Sequence, residues 1–384
     1  GLATTYQNIG VVYSGKSDNK NALEYYAKAA DIYNEIGYNR GVAMIHQNIA
    51  FIYKSQSEYS LALKYYLKAV KGYKDLGDKQ SEASMLQNVG TAYESLGDYP
   101  KSLEHYFRAK TIFEETGDVK GVASIVQNTG NIFYYQLEYP QALDYYQQAF
   151  KIYDSIANKE GMAAAIGNIA NVYKELKNYT MAMEYNAKAL KMNEEMGDTL
   201  SVGRRVLQIA SLYQVQKNYT MALLNGHKAK KIFEKIGDKQ LYAYALRDIG
   251  ILYLALVEDT AAANGGVNVN VEAEERAYLP DGSLPVGRVA RLRLARDYLL
   301  QALDTGKKLE SLHIMEYCYE NLAKVYRLSG DYEHALECYE QFKIIEDSVF
   351  SKDNQKKIVQ MQMQSDFDLK EKITRAEQDK KDAI

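Results

Sequence analysis

Residues 87–113 read QNVGTAYESLGDYPKSLEHYFRAKTIF, and the rest of the chain repeats this stretch in steps of 40 residues. One column of the repeat holds asparagine five times in succession, at Asn8, Asn48, Asn88, Asn128 and Asn168. A second column, five residues on, is aromatic throughout, at Tyr13, Tyr53, Tyr93, Phe133, Tyr173, Tyr213 and Tyr253. A fixed period over several columns is typical of stacked units, each of which buries its apolar face against its neighbours. We therefore expect any binding surface to be built by several repeats.

Each repeat is predicted to hold two helices. Apolar side chains recur every three or four positions over residues 41–55 and again over 60–76, which is the spacing of an amphipathic helix. Only Gln56, Ser57 and Glu58 separate the two segments, so the helices are predicted to be antiparallel neighbours. Glycines are predicted to end the second helices at the repeat joints, where Ala157 is the exception; they are Gly37, Gly77, Gly117, Gly197 and Gly237.

The order of these residues resembles the tetratricopeptide repeat (TPR). The shared elements are Asn-Ile-Gly-x-x-Tyr, then Gly-Asp-Tyr, then Ala-x-x-x-Tyr-x-x-Ala, and they cover nearly the whole chain. The period is 40 residues instead of about 34, and other residues replace the Trp of the family's first helix. Longer helices, similar to those of kinesin light chains and bacterial Rap-type regulators, would account for the difference. The resemblance implies an all-α solenoid, a right-handed superhelix of antiparallel helix pairs.

The domain organisation follows from the phase of the repeat. We expect about eight repeats over residues 1–350, with an insertion at 257–289 inside the seventh. Alternating Val267, Val269 and Val271 predict a short hairpin in the insertion, which is either a tolerated surface loop or a ligand-gating or dimerising loop. Residues 351–384 are predicted to form a charged C-terminal helix. It is either a cap or a coiled-coil connector, and a connector implies a homodimer through this helix.

Composition narrows the function classes. The net charge is −3, from 47 basic and 50 acidic residues, so no strong field favours nucleic acid or an anionic membrane. Two cysteines, Cys318 and Cys338, argue against a disulfide scaffold. The five histidines are scattered along the chain without a zinc-ligand spacing, and we predict no metal and no cofactor. No nucleophile, base and oxyanion site is recognisable, so the chain as given is predicted not to be an enzyme.

The candidate binding residues lie on the first helices. TPR proteins of this kind line a concave groove with these helices, and the asparagine in this motif position faces the backbone of a bound peptide. The resemblance thus implicates Asn8, Asn48, Asn88, Asn128 and Asn168, with Asn321 and the preceding Gln47, Gln87 and Gln127. An amide offers donors and an acceptor to a peptide main chain. The alternative is that these amides bridge neighbouring helices and serve the fold alone.

The asparagine pattern changes at Gln208 and Asp248. Near this change, Arg204, Gln208 and Arg247 fall on one side of successive first helices and are candidates to hold a carboxylate or phosphate. A solvated basic patch is the alternative interpretation.

The end of the repeats resembles a known connection. Asp347-Ser348-Val349-Phe350-Ser351, followed by Lys-Lys-Ile, is similar to the segment that leaves the TPR region of bacterial membrane-anchored sensor kinases and related cyclases. The resemblance implies a non-catalytic protein- or peptide-binding scaffold, the sensory region of a bacterial signalling protein, with any catalytic domain lying beyond it. It also implies a periplasmic location for a sensor ectodomain and a cytoplasmic one otherwise. A small-molecule-responsive module that signals through its C-terminal helix is the alternative.

Overall fold

The computed structural model describes residues 1–16, 18–259 and 287–348, and these residues contain helices and no strand. The chain divides into two compact units. Of the described residues, the first unit holds those up to Gly161 and the second those from Met162 onward. The predicted all-α fold of tandem helix pairs is confirmed.

The helices alternate along the chain as first and second members of each pair. In the first unit they are α1 (Leu2–Gly15), α2 (Asn19–Glu35), α3 (Asn39–Ser55), α4 (Tyr59–Asp75), α5 (Lys79–Leu96), α6 (Tyr99–Thr116), α7 (Val119–Tyr135), α8 (Tyr139–Ser155) and the start of α9 (Lys159–Glu175). In the second unit α9 continues, followed by α10 (Tyr179–Met196), α11 (Thr199–Val215), α12 (Tyr219–Ile236), α13 (Lys239–Glu258), α14 (Arg288–Lys308), α15 (Leu312–Ser329) and α16 (332–348).

Local sequence explains where the helices start and stop. An Asp or Asn side chain usually precedes the helix and accepts a backbone N–H of its first turn, as Asp118 accepts from Gly121 at 2.8 Å. The predicted glycines end the second helices in the left-handed conformation, Gly117 with φ of 73°. Ala157 adopts the same conformation with φ of 51°, against its side-chain preference. The helices α3 and α4 thus begin and end within two residues of the predicted segments 41–55 and 60–76.

The core repeats the same contacts from one helix pair to the next. The alanines of the repeated columns, such as Ala62 and Ala69 of α4, are fully buried, which lets the helix axes approach closely. In most pairs an aromatic ring of the first helix stacks on a ring of the second helix, as Tyr53 does on Tyr65 with centroids 5.6 Å apart. Tyr173 and Tyr185 form the same stack in the second unit, at 5.4 Å. The repeated columns therefore correspond to layers of packing, as the periodicity predicts.

Two predicted features lie outside the described residues. The hairpin would fall within 260–286, and the cap or connector would fall within 351–384. The flanks of the insertion are described: α13 continues to Glu258, and α14 begins at Arg288 and packs against it. These two helices thus form the pair of the seventh repeat. The boundary at residue 350 stays a prediction.

Helix α13 is unusually apolar. Among the described helices it is the one whose length and mean hydropathy of 1.2 would suit a membrane span. However, 56% of that segment is buried against the protein, and Leu246, Ile249 and Leu252 lie in the core of the second unit. This burial is typical of a core helix.

Candidate functional site

We call the asparagines at positions 8, 48, 88, 128 and 168 the amide column. Asn8 is exposed, and Asn48, Asn88 and Asn128 are half-buried on α3, α5 and α7. The side chains of these last three form no hydrogen bond with any residue in the described ranges. Asn168 is also half-buried but does interact with another residue. The first unit therefore presents three successive amides whose hydrogen-bonding groups the described protein leaves unused.

Asn321 was expected to continue this column on α15. It is buried, and its amide donates to the backbone carbonyl of Tyr317 at 2.8 Å, one turn earlier in the same helix. Its side chain therefore caps a carbonyl within its own helix.

The glutamines before these asparagines behave differently. The hydroxyl of Tyr33 donates to Gln7 Oε1, and that of Tyr73 donates to Gln47 Oε1, both at 2.9 Å. Each bond joins the first and second helices of one repeat. We call these two pairs the Gln–Tyr ties.

The next two glutamines lack this tie. Phe113 stands in the tyrosine position of repeat three, and Gln87 Nε2 instead donates to Ser124 Oγ of repeat four at 2.7 Å. Gln127 Oε1 is buried without a hydrogen-bond partner in the described part of the chain. Of the predicted glutamines, Gln47 and Gln87 are thus bonded within the protein.

A polar network joins α9 and α11 in the second unit. Gln208 Nε2 donates to Asn171 Oδ1 at 3.2 Å, and Lys174 Nζ donates to Ser211 Oγ at 3.0 Å. Gln208 Oε1 accepts a hydrogen bond from Arg205 Nη1 at 2.7 Å. Gln208 is therefore held between the side chains of Asn171 and Arg205.

The two arginines singled out in the sequence have different surroundings. Arg204 is exposed. Arg247 forms an ion pair with Asp248, with Nη2 2.7 Å from Oδ1, and its guanidinium lies 4.9 Å from the ring of Tyr244 and 5.2 Å from that of Tyr317. Burial raises the pKa of Asp248, and the neighbouring Arg247 opposes that rise. Arg247 is thus already engaged by an acid and two rings.

Sequence reasoning missed Arg205, the residue that contacts Gln208. Burial is the main cause that lowers the pKa of Arg205, and the charge of Arg204 adds to it. A signal was present in the sequence, because the same column holds Ile45, Met85 and Ile125 in earlier repeats. An arginine in an apolar column marks a position where packing alone does not explain the residue.

Buried histidines are a further departure from the repeat. His105 stacks on Tyr93 with centroids 5.4 Å apart, and burial lowers its pKa to about 4. Burial also lowers the pKa of His227 to about 4. Within the described ranges, no cluster of three or more His, Cys, Asp or Glu is placed to hold a metal ion.

Comparisons with known families identify the fold family. A tetratricopeptide repeat model matches residues 1–75, 81–155 and 130–195, and a second tetratricopeptide repeat model matches 318–345. Together these ranges cover more than half of the chain, which therefore belongs to the tetratricopeptide repeat family. A search of curated proteins gave no match.

Several solved structures share the fold. A signal transduction ATPase with numerous domains from Pyrococcus horikoshii, which carries a tetratricopeptide repeat sensor, has a TM-score of 0.58 and 16% identity. The match covers 92% of this chain and 49% of that protein. Aspartyl phosphate phosphatase F from Bacillus subtilis has a TM-score of 0.56 and 15% identity, and the match covers 84% of this chain and 75% of that protein. A Rap protein complexed with competence and sporulation factor has a TM-score of 0.54 and 16% identity. That match covers 84% of this chain and 81% of the Rap protein. At these identities the likeness concerns the fold.

Proposed function

We propose that this chain is a non-catalytic module that binds a protein or peptide segment along its first helices, as the sensory or interaction region of a signalling protein. The observation that carries the proposal is the state of the amide column in the first unit. Gln7, Gln47 and Gln87 are bonded within the protein, whereas Asn48, Asn88 and Asn128 have no partner among the described residues. The unused amides recur at one position of three successive repeats.

The energetics favour a role outside the fold. Asparagine is a poorer helix former than alanine by roughly 0.5 kcal/mol, so α3, α5 and α7 gain no local stability from it. A half-buried amide without a partner also loses part of its hydration. Both costs are offset when a ligand supplies hydrogen bonds, and a peptide main chain offers the donors and acceptors that an amide needs.

The compared proteins and the charge support this class of partner. One compared structure is a Rap protein complexed with competence and sporulation factor, and another contains a tetratricopeptide repeat sensor. The chain has 47 basic and 50 acidic residues, which gives no excess of positive charge for nucleic acid or an anionic membrane. We therefore propose a protein or peptide as the partner.

A peptide array tests the proposal. The full chain is screened against the array, and Kd for a captured peptide is measured with the wild type and with Asn48→Ala/Asn88→Ala/Asn128→Ala. Each lost hydrogen bond should weaken binding by about 0.5–1.5 kcal/mol, so the triple variant should lose at least about tenfold in Kd. Asn34→Ala, at an exposed position on the second helix α2, is the control and should bind as the wild type does. Unchanged binding by the triple variant would contradict the proposal.

A further inference from the structure

Arg205 introduces a charge into a layer that is apolar in repeats two to five. Ile45, Met85, Ile125 and Ala165 occupy its column and are all buried. Arg205 is half-buried, its Nε atom is fully buried, and no carboxylate in the described ranges forms an ion pair with it. A buried charge without a counter-charge is costly, so its presence calls for a compensating group.

One replacement in repeat five leaves room for this side chain, and a second removes the tyrosine of the tie. Gly167 stands where the first four repeats have glutamine, and Asn193 stands where repeats one and two have the tyrosine of the Gln–Tyr tie. A Cβ atom on Gly167 would collide with Nη1, Cζ and Nη2 of Arg205. The guanidinium therefore occupies the space that the side chain of residue 167 leaves empty. Repeat five, which precedes the repeat of Arg205, thus lacks both members of the tie.

The protein uses few of the donors of this guanidinium. Arginine has five N–H donors, and one hydrogen bond, from Nη1 to Gln208 Oε1, is formed with the described residues. Nε is buried and has no partner there. Asn171 holds Gln208 from α9, so the guanidinium is fixed in position while most of its donors remain unused. Such a fixed, undercompensated guanidinium is suited to an anion.

We propose that Arg205, positioned by Gln208 and Asn171 over Gly167, is a subsite for a carboxylate group of a ligand. A carboxylate matches the single charge and planar fork of one guanidinium. A phosphate dianion is better matched by two cations, but Arg247 is paired with Asp248, and Arg204, the other charge near Arg205, is exposed to solvent. The subsite lies in the second unit and does not depend on the amide column. The carboxylate subsite and the peptide-binding proposal can therefore be disproved independently of each other.

Thermal unfolding of the full chain in acetate tests the subsite. Sodium acetate is compared with sodium chloride at equal ionic strength, and acetate at about ten times Kd should raise the Tm of the wild type by about 2–4 °C. Arg205→Met, which installs the residue that Met85 provides in repeat three, should abolish the rise. Arg293→Met removes an exposed arginine of α14 and should keep it. An acetate-specific rise that persists in Arg205→Met overturns the proposal.

A second set of variants separates binding from folding. Without acetate, Arg205→Met should melt at the same or a higher temperature, because an unpaired buried charge is removed. Gly167→Gln should displace the guanidinium and lose the acetate effect, and Gly167→Gln/Arg205→Met restores the residue types of earlier repeats and should fold normally. A large loss of Tm in both Arg205→Met and the double variant would show that Arg205 serves the fold, which also overturns the proposal.

The source of the carboxylate is distinguished with small probes. Acetyl-Gly-Gly presents a terminal carboxylate, and acetyl-Asp-amide presents a side-chain carboxylate. An Arg205-dependent rise in Tm with one of them assigns the source. A larger Arg205-dependent rise with inorganic phosphate than with acetate contradicts the carboxylate assignment.

Discussion

The first helices of the two units use the same columns for different chemistry. In the first unit, Gln7 and Gln47 are tied to Tyr33 and Tyr73, and Asn48 of α3 and Asn88 of α5 have no partner among the described residues. In the second unit, both members of the tie are replaced, and Arg205 lies over Gly167 with Gln208 as its acceptor. The columns that keep the helices packed are retained in both units.

This difference shows how a repeat array gains a new site without changing its fold. The arginine is accommodated because Gly167 replaces the glutamine of earlier repeats, in a repeat where Asn193 also replaces the tyrosine. The exchange is local, since each repeat contacts only its neighbours. A departure from the repeat that is matched by a second departure nearby is therefore a better guide to function than a single unusual residue.

The largest expected effect comes from placing the arginine in the first unit. Ile125 occupies the column of Arg205, is 1% exposed and follows a repeat that has Gln87 and Phe113 in place of Gly167 and Asn193. Ile125→Arg should reduce the free energy of unfolding by about 3–5 kcal/mol, because no space or counter-charge is provided. Ile125→Met is the control and should cost less than about 1.5 kcal/mol. Equal losses, measured by urea unfolding, would show that Gly167 and Asn193 are not needed for the arginine.

A smaller effect concerns pH, and it should be similar in the two units. His105 and His227 have pKa values lowered to about 4 by burial, from 6.5 when unfolded. Each therefore contributes stability that is fully present above pH 6.5 and is lost as the pH falls towards 4. His105→Tyr, which restores the residue of Tyr65 and Tyr145 in that column, should reduce the loss of stability between pH 7 and pH 5 by about 2 kcal/mol. An unchanged pH dependence would mean that His105 is not buried in its neutral form.

The Gln–Tyr tie should give a still smaller effect. A double-mutant cycle of Gln47→Leu and Tyr73→Phe is expected to show a coupling of about 0.5–1.5 kcal/mol, the value of one hydrogen bond. Combining Gln47→Leu with Tyr33→Phe is the control, because Tyr33 is bonded to Gln7. Those two changes should add within about 0.5 kcal/mol. Additivity in both cycles would show that the hydrogen bond between Gln47 and Tyr73 does not contribute to the free energy of unfolding.

Periodicity was sufficient to predict the fold. Alanine, aromatic and glycine columns report packing and helix ends, which recur in every repeat, so helix positions such as α3 and α4 follow from the sequence. The hydrogen-bond partners of single side chains are harder to predict from the sequence. The Gln47–Tyr73 bond joins residues 26 positions apart, and nothing in the sequence distinguishes it from an unpaired glutamine. Arg205 was missed because exposed Arg204 precedes it, and only its place in an apolar column separates the two.

The free energy of unfolding of Asn48→Ala/Asn88→Ala/Asn128→Ala tests the central claim most directly. We expect this variant to be as stable as the wild type or more stable, because the three amides have no partner among the described residues and alanine is the better helix former. Asn131→Ala is the reference for an amide that serves the fold, since Asn131 accepts a hydrogen bond from buried Tyr146 at 2.8 Å, and it should lose about 1–3 kcal/mol. A loss of that size for each asparagine of the triple variant would show that the amide column holds the repeats together, and would contradict its assignment as a ligand surface.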